Sequence, residues 1–519
     1  MAMAGTLIPL LDSSTDTTLT FHKRCVVNFS SMGHCARSIM QTLDSSKTHA
    51  PWLVKRTACD CYMPNAPKRF VLSIFLLACF SAHIVNPDTA HSVNGPQLIG
   101  YSAESTGLAG SGHVAIADTS AINTNPAALS LIQSARLDVT AGPLQAFLHH
   151  SDAFGNKNVA GQANVYALGN LGLATRLASI PGVIVGAGIF TQGGFGTDYR
   201  NLATVFGTRD DTSSFFRYFK FAAALSYEIT NKFSIGIAPS IGYSDVSLRL
   251  LPGTSMLPGP GLPTGFAGLS IRDRCARNGG LGGLGDTCPS DVVFSAKVGA
   301  MYKALPWLTV GATYTSPVRF NFTTGEAALN FSAFGLGSVN YDARVAGLKW
   351  PQQVDASMAA KPTEQLLVAV TTSWINWASI NTIEIAATNP NNPLAPSQVN
   401  LNIPFNWKDQ VVIALGASYA VIQDQSWKNR DRLVLRVGYN YSNNPIPKET
   451  LSPLAPLILE HHFTGGFGYR FTEKWAFDLG GVYGLKKSVT YTNPSLPFGP
   501  NATESISAYY IYSTVSYRL

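Results

Sequence analysis

The sequence predicts an all-β protein: an antiparallel transmembrane β-barrel of about fourteen strands with a small N-terminal plug. Three observations predict it. Only 13% of the 519 residues are charged, against roughly 25% in a typical soluble domain. Apolar side chains recur at every second position through most of the chain, the period of a strand with one greasy face. The segments between those strands alternate short and long, as in a barrel with tight turns on one side of a membrane and large loops on the other.

The composition fits. Aromatic residues make up 11% of the chain and glycine contributes 46 residues. Outside Phe70–Val85 no segment approaches the roughly 20 apolar residues of a membrane helix. The net charge of +7 is spread thinly, with no Lys/Arg-rich run of the kind that binds nucleic acid. A secreted β-sandwich array would share much of this composition, so the strand pattern has to decide.

The first part of the chain reads as leader and export signal. Lys68-Arg69 precede Phe70-Val-Leu-Ser-Ile-Phe-Leu-Leu-Ala78, the charge-then-apolar order of a secretory signal. Met63 stands just upstream, so translation is expected to start there. Residues 1–62 then fall outside the working protein, and 63–95 form the signal and processing region, with the mature N-terminus between Cys79 and about residue 95. Leu76-Leu77-Ala78-Cys79 also has the form of a lipid-attachment site, although Cys79 reads more simply as an apolar signal residue. Cys25, Cys35, Cys59 and Cys61 belong to the leader. That leaves Cys275 and Cys288 in one glycine-rich segment, an arrangement that favours a local disulfide after export. No His or third Cys lies nearby, so no metal site is expected.

The strands can be read in order. Phe233, Ile235, Ile237, Ile241 and Tyr243 share one face, opposite Ser234, Gly236, Ala238, Ser240 and Gly242. Leu433, Leu435, Val437, Tyr439 and Tyr441 are offset by Arg432, Arg436, Gly438, Asn440 and Ser442. Trp475, Phe477, Leu479 and Tyr483 oppose Ala476, Asp478, Gly480 and Gly484. Small and charged groups on the minor face indicate a roomy lumen, and aromatics at the row ends suit membrane interfaces. The expected strands are 136–148, 164–176, 183–190, 216–229, 233–250, 291–302, 308–323, 345–361, 365–384, 408–421, 431–443, 460–471, 475–491 and 504–519. Thr230-Asn231, Lys303 to Pro306, Lys361 to Glu364 and Thr472 to Lys474 make tight turns. The segments 191–215, 251–290, 324–344, 385–407, 444–459 and 492–503 make long loops.

The last strand carries Tyr509, Ile511, Val515, Tyr517 and Leu519 on one face, up to the final residue. Such an end reads as a signal to the barrel-assembly machinery. Pairing the first strand with the last leaves no backbone edge exposed to lipid. The expected location is therefore a bacterial outer membrane.

Residues 96–135 break the pattern. Pro96-Gln-Leu-Ile-Gly-Tyr-Ser-Ala-Glu-Ser-Thr-Gly-Leu-Ala-Gly-Ser-Gly is rich in small residues and leads to Asn125-Pro126-Ala127-Ala128-Leu129. This resembles the N-terminal hatch of the outer-membrane long-chain fatty-acid transporter family (FadL type), with Ala128 where that family usually has glycine. Leu308-Thr-Val-Gly-Ala-Thr-Tyr-Thr-Ser-Pro317, Trp374-Ile-Asn-Trp377, Leu435 to Pro447 and His462-Phe-Thr-Gly-Gly-Phe-Gly-Tyr469 continue the likeness in order. It covers roughly residues 96–519: a hatch at 96–135 and a barrel at 136–519. The resemblance implies capture of a long-chain fatty acid or a related hydrophobic compound by apolar outer loops. The ligand would then pass to an internal pocket and leave sideways into membrane lipid through a kinked third strand. Related proteins of this architecture carry aromatic hydrocarbons, which keeps that substrate class open. A sixteen-carbon chain in a dry pocket gains on the order of 10 kcal/mol at about 0.8 per methylene, so release needs a conformational step.

Candidate residues follow. Asn125, Pro126 and Ala127 are candidate hatch or gating residues, although an ordinary turn has the same form. Gly193 and Gly194, in a cluster with Gly186, Gly188 and Gly196, are the candidate lateral kink. Arg436, Lys297 and Lys220 have inward parity and are candidate headgroup contacts, or simply solvated lumen charges. Outward placement would cost roughly 2–4 kcal/mol at the bilayer midplane. His149-His150 and Glu460-His461-His462 lack the partner motifs of a metal or hydrolase site. No catalytic residue, cofactor or metal is expected, and the chain is expected to be monomeric. The rivals are a general porin, which would lack a plug, and an outer-membrane lipid hydrolase, which would need a Ser/His/Asn-type constellation at the outer rim.

Overall fold

The computed structural model describes residues 94–163, 165–259, 265–273, 291–427 and 431–519. The expected leader, signal and Cys79, and the Cys275/Cys288 pair, lie outside the described residues.

Fourteen antiparallel strands form the barrel. They are β1 Arg136–Ser151, β2 Val165–Arg176, β3 Val183–Ala203, β4 Arg209–Glu228, β5 Phe233–Met256 and β6 Asp291–Leu305. Four interrupted strands follow: β7 (Leu308–Thr315 and Val318–Phe331), β8 (Gly337–Trp350 and Gln353–Ala360), β9 (Leu366–Ile375 and Thr382–Thr388) and β10 (Gln398–Pro404 and Gln410–Gln423). β11 Asp431–Ser442, β12 His461–Arg470, β13 Trp475–Tyr491 and β14 Ala502–Arg518 complete the set. β1 pairs with β14 from Arg136↔Arg518 to Ser151↔Thr503, so first strand meets last and the sheet closes into a barrel. Among the described residues no helix is long and apolar enough to cross a membrane; strands make the crossing.

The alternation sorts residues as expected. Val139, Leu171, Ile189, Phe221, Ile237 and Val298 are exposed on the outer wall, where lipid is their solvent. Ser226, Ser234, Thr313, Ser357 and Thr371 face inward and are buried.

The structure corrects several boundaries. The third strand does not stop at residue 190; it runs to Ala203, and the expected long loop 191–215 shrinks to a hairpin before Arg209. Thr191–Tyr199 are buried on both faces, which removes the period-two signal that would have marked them as strand. Segment 324–344 is likewise mostly strand, and 385–407 contains the end of one strand and all of Gln398–Pro404. Within 251–290, Phe266–Asp273 forms an added strand between β5 and β7. In each case hydrogen bonds to a neighbouring strand impose extension on residues of weak local preference.

Residues 94–135 fill the lumen. Helix α1 (Ala103–Gly107) is capped by Ser102, whose hydroxyl accepts from the Ser105 amide. Helix α2 (Ala121–Thr124) leads to a 3-10 turn, Pro126–Leu131. The wall makes room for this plug by omitting side chains. A Cβ at Gly236 would lie 2.4 Å from the Pro126 carbonyl carbon, and one at Gly299 would lie 2.1 Å from Asn125 Oδ1. The glycines on the minor face of these strands are thus sockets for the plug.

Candidate transport pathway

Four features line up along the lumen. At the extracellular end, Phe195, Leu248, Ile271, Ile385, Ile403 and Leu454 enclose an apolar cup of about 50 Å³. Its lid is the loop between β11 and β12, in which Leu451–Leu459 are all buried. Sequence reading missed this cup, although the apolar run Leu454-Ala-Pro-Leu-Ile-Leu459 in a predicted external loop was a usable signal.

Below the cup runs a chain of rings: Phe195–Phe216, Phe216–Phe320, Phe320–Tyr218, Tyr218–Trp350, Trp350–Trp377 and Trp377–Trp407. Their centroids are 5.4, 5.4, 5.2, 5.1, 5.9 and 5.5 Å apart, the spacing of favourable aromatic pairs. Phe195 is shared with the cup.

Midway along, the chain of rings borders a second cavity of about 70 Å³ above the plug, where Tyr218 and Trp350 meet Lys220, Lys297, Gln97 and Gln192. The two lysines are buried and face inward, as their parity predicted. Lys297 pairs with Asp355 at 3.7 Å. Lys220 makes no ion pair among the described residues. The Nε2 atoms of Gln97 and Gln192 are buried without a hydrogen-bond partner there. Unpaired donors and a lone cation in one small cavity leave it short of an acceptor. Binding sites for drug-sized ligands hold roughly 300–1,000 Å³, so neither void as it stands encloses a ligand of that size.

The third candidate cation has a different role. Arg436 reaches Asp478 on β13 at 2.7 Å and Glu104 of α1 at 3.2 Å. It ties plug to wall and does not face the cavity. Burial would raise the Glu104 carboxyl, but Arg436 and Arg136 hold it below its ordinary range. On β1, Arg136 pairs with Asp138 at 2.8 Å and donates to the Ala117 carbonyl at 2.7 Å. Asn125 accepts from the Ala127 amide at 3.1 Å and caps the 3-10 turn, and its Nδ2 donates to the Ala300 carbonyl of β6 at 3.4 Å.

The last feature is a break in the wall. β2 and β3 pair from Arg176↔Ile184 to Asn170↔Phe190 and no further, although β2 stays paired with β1 up to Val165. At that height β3 has one extra residue, Gln192, between Thr191↔Phe219 and Gly193↔Tyr218 in its ladder with β4. Such a bulge bends a strand. Gly193 and Gly194 follow with φ of 143° and 157°, a region that favours glycine. Their inner side is taken by the plug's first residues: the Gly194 amide donates to the Pro96 carbonyl at 2.9 Å, and Gln97 bridges Gly193. The two glycines do sit at the bend, but a Cβ at Gly194 would lie 2.1 Å from the Phe216 carbonyl oxygen of β4 and would not project into the gap.

The predicted histidine pairs separate: His150 and His462 are buried, while His461 stacks on Tyr439 and Tyr441 outside. Among the described residues no His, Cys, Asp and Glu cluster could hold a metal ion.

A plugged fourteen-strand barrel with a lipid-facing outer wall is an outer-membrane protein of the hydrophobic-compound transport class. The chain belongs to the outer membrane protein transport protein family (OMPP1/FadL/TodX), whose model matches residues 88–518. Its members are channels and transporters. Three solved structures share the fold. The toluene transporter TodX of P. putida aligns with a TM-score of 0.63 at 20% identity, over 81% of this chain and 99% of its own. A FadL homologue of Pseudomonas aeruginosa aligns at 0.63 and 15% identity, over 82% and 99%. The toluene transporter TbuX of Ralstonia pickettii aligns at 0.59 and 18% identity, over 81% and 99%. No curated protein sequence matches the chain significantly.

Proposed function

We propose that the protein takes up long-chain fatty acids or closely related amphiphiles, capturing them in the outer apolar cup and releasing them sideways between β2 and β3. The observation that carries this reading is the end of β2–β3 pairing at Asn170↔Phe190, beside the cavity that holds Lys220. A tail enters among the rings from the cup. The head meets Lys220 and the free amides of Gln97 and Gln192, and an ionised carboxylate supplies the acceptors they lack. Residues 94–98 lie on the inner side of the bend, so a shift of the plug opens the gap; the Asn125–Ala127 turn anchors the plug against such shifts. The site takes no cofactor and its partners are membrane lipid and the apolar solute.

The chain of rings favours a second reading, uptake of aromatic hydrocarbons, which need no cation. Lys220→Met separates the two. A charge-assisted hydrogen bond contributes roughly 1.5–3 kcal/mol. Half-saturation for labelled oleate uptake in a deletion strain should therefore rise about tenfold to a hundredfold in the variant, with toluene uptake unchanged. Equal oleate uptake by both proteins removes Lys220 from the site and leaves the hydrocarbon reading.

A further inference from the structure

A buried polar cluster at the extracellular end has no part in the pathway described so far. Glu504 of β14 is fully buried, and its carboxylate accepts from Tyr199 of β3 at 3.0 Å and Tyr491 of β13 at 3.1 Å. His150 of β1 places Nδ1 2.5 Å from Glu504 Oε1 and Nε2 3.0 Å from Asp152 Oδ2. Asp152 also accepts from the Phe154 and Asn156 amides at 2.9 and 3.2 Å and from Asn156 Nδ2 at 2.6 Å. Both carboxylates are therefore ringed by donors, the arrangement of ionised groups. A neutral imidazole donates through one nitrogen only, so His150 can serve both carboxylates only as imidazolium.

The cluster's position gives it a consequence. β2 begins at Val165, so between the outer ends of β1 and β3 there is only a two-residue strand, Val159–Ala160, paired with β1 at His149↔Ala160 and His150↔Val159. The loop after β1 fills that space. Gly161 donates to the Leu148 carbonyl at 3.0 Å and Gln162 to the Asp198 carbonyl at 2.8 Å. The Asn156 side chain exchanges two hydrogen bonds with Ala203, at 2.8 and 2.9 Å. On this side, the outer half of β3 is tied to the barrel through Tyr199–Glu504 and through a loop that Asp152 folds.

We infer that His150, held between Glu504 and Asp152, is a positioning residue: its imidazolium fixes the outer half of the bent strand and so sets the width of the side gap below. The inference rests on the lateral-release reading. Loss of the charge leaves two carboxylates facing each other in a buried site; they push the loop away from β14 and so loosen the loop's hold on β3. The titratable groups facing His150 are Glu504 from β14, Asp152 from the loop, Tyr199 from β3 and Tyr491 from β13; Phe498 meets the ring edge-on.

Purified full-length protein in liposomes tests this, with toluene as the solute because it carries no charge that titrates. Flux through the wild type should be flat near neutrality and rise several-fold on going alkaline. His150→Gln should show the raised flux throughout with no pH step, and adding Asp152→Asn should return flux to the wild-type level. A second readout, cleavage of the 152–163 loop by a broad protease, does not depend on transport. A protease step with no toluene flux in any protein would discard lateral release and keep the His150 latch. Identical flux and cleavage for wild type and His150→Gln across the pH range would overturn the latch.

Discussion

Deleting Gln192 is expected to stop release of apolar substrate while the barrel still folds. The residue is the bulge itself: without it Thr191↔Phe219 is followed directly by Gly193↔Tyr218, and every later β3 residue keeps its partner on β4. Straightened, β3 can continue its ladder with β2 beyond Asn170↔Phe190 and close the gap. Uptake of labelled oleate should fall clearly, because the bulge that bends β3 away from β2 is gone. The protein should stay heat-resistant on a semi-native gel. Normal uptake by a folded deletion variant would move the exit elsewhere. This variant is a sharper probe than valine at Gly193 and Gly194, because a Cβ at Gly194 strikes the Phe216 carbonyl and disturbs the β3–β4 ladder itself.

The largest stability effect is expected at Arg436. Its guanidinium is the common partner of Asp478 on the wall and Glu104 on the plug. Arg436→Met strands two acidic groups inside the barrel, and removing one member of a buried ion pair typically costs about 3–5 kcal/mol. The midpoint of guanidinium unfolding in detergent should fall accordingly. Adding Glu104→Gln and Asp478→Asn to Arg436→Met should recover much of the loss, since the charges left behind cause most of it. If Arg436→Met unfolds at the wild-type midpoint, the ionic tie contributes little and glycine-socket packing alone holds the plug.

The barrel was legible because its wall has lipid on one side and small or polar groups on the other. Ile235, Ile237 and Ile241 against Gly236, Ala238 and Ser240 can only be a strand of that kind, and the count of fourteen follows from such rows. The inward parity of Lys220, Lys297 and Arg436 was legible for the same reason. Their partners were not, because Asp355, Glu104 and Asp478 are brought to them by closure of the sheet and by the plug. Reading the third strand failed at the bend. Thr191–Tyr199 are buried on both faces, partly by Pro96–Leu98, so the periodicity that marks other strands is missing there. Gly193 and Gly194 flagged the bend by type, yet the residue that makes the bulge is Gln192, which has no compositional signature. His149-His150 drew notice as a pair, but only the fold shows that His150 alone turns inward to Glu504.

In the proposed route substrate leaves through the wall and not through the plug. Photolabelling with a long-chain fatty acid carrying a diazirine near its methyl end, followed by peptide mapping of the full-length protein, tests it directly. Lateral release predicts label on the β2 segment Val165–Asn170 and the β3 segment Gln192–Phe195, which face each other across the break. Label concentrated on Ile132–Ser134 and Arg470, which line the periplasmic vestibule beneath the plug, with none at the break, would contradict it.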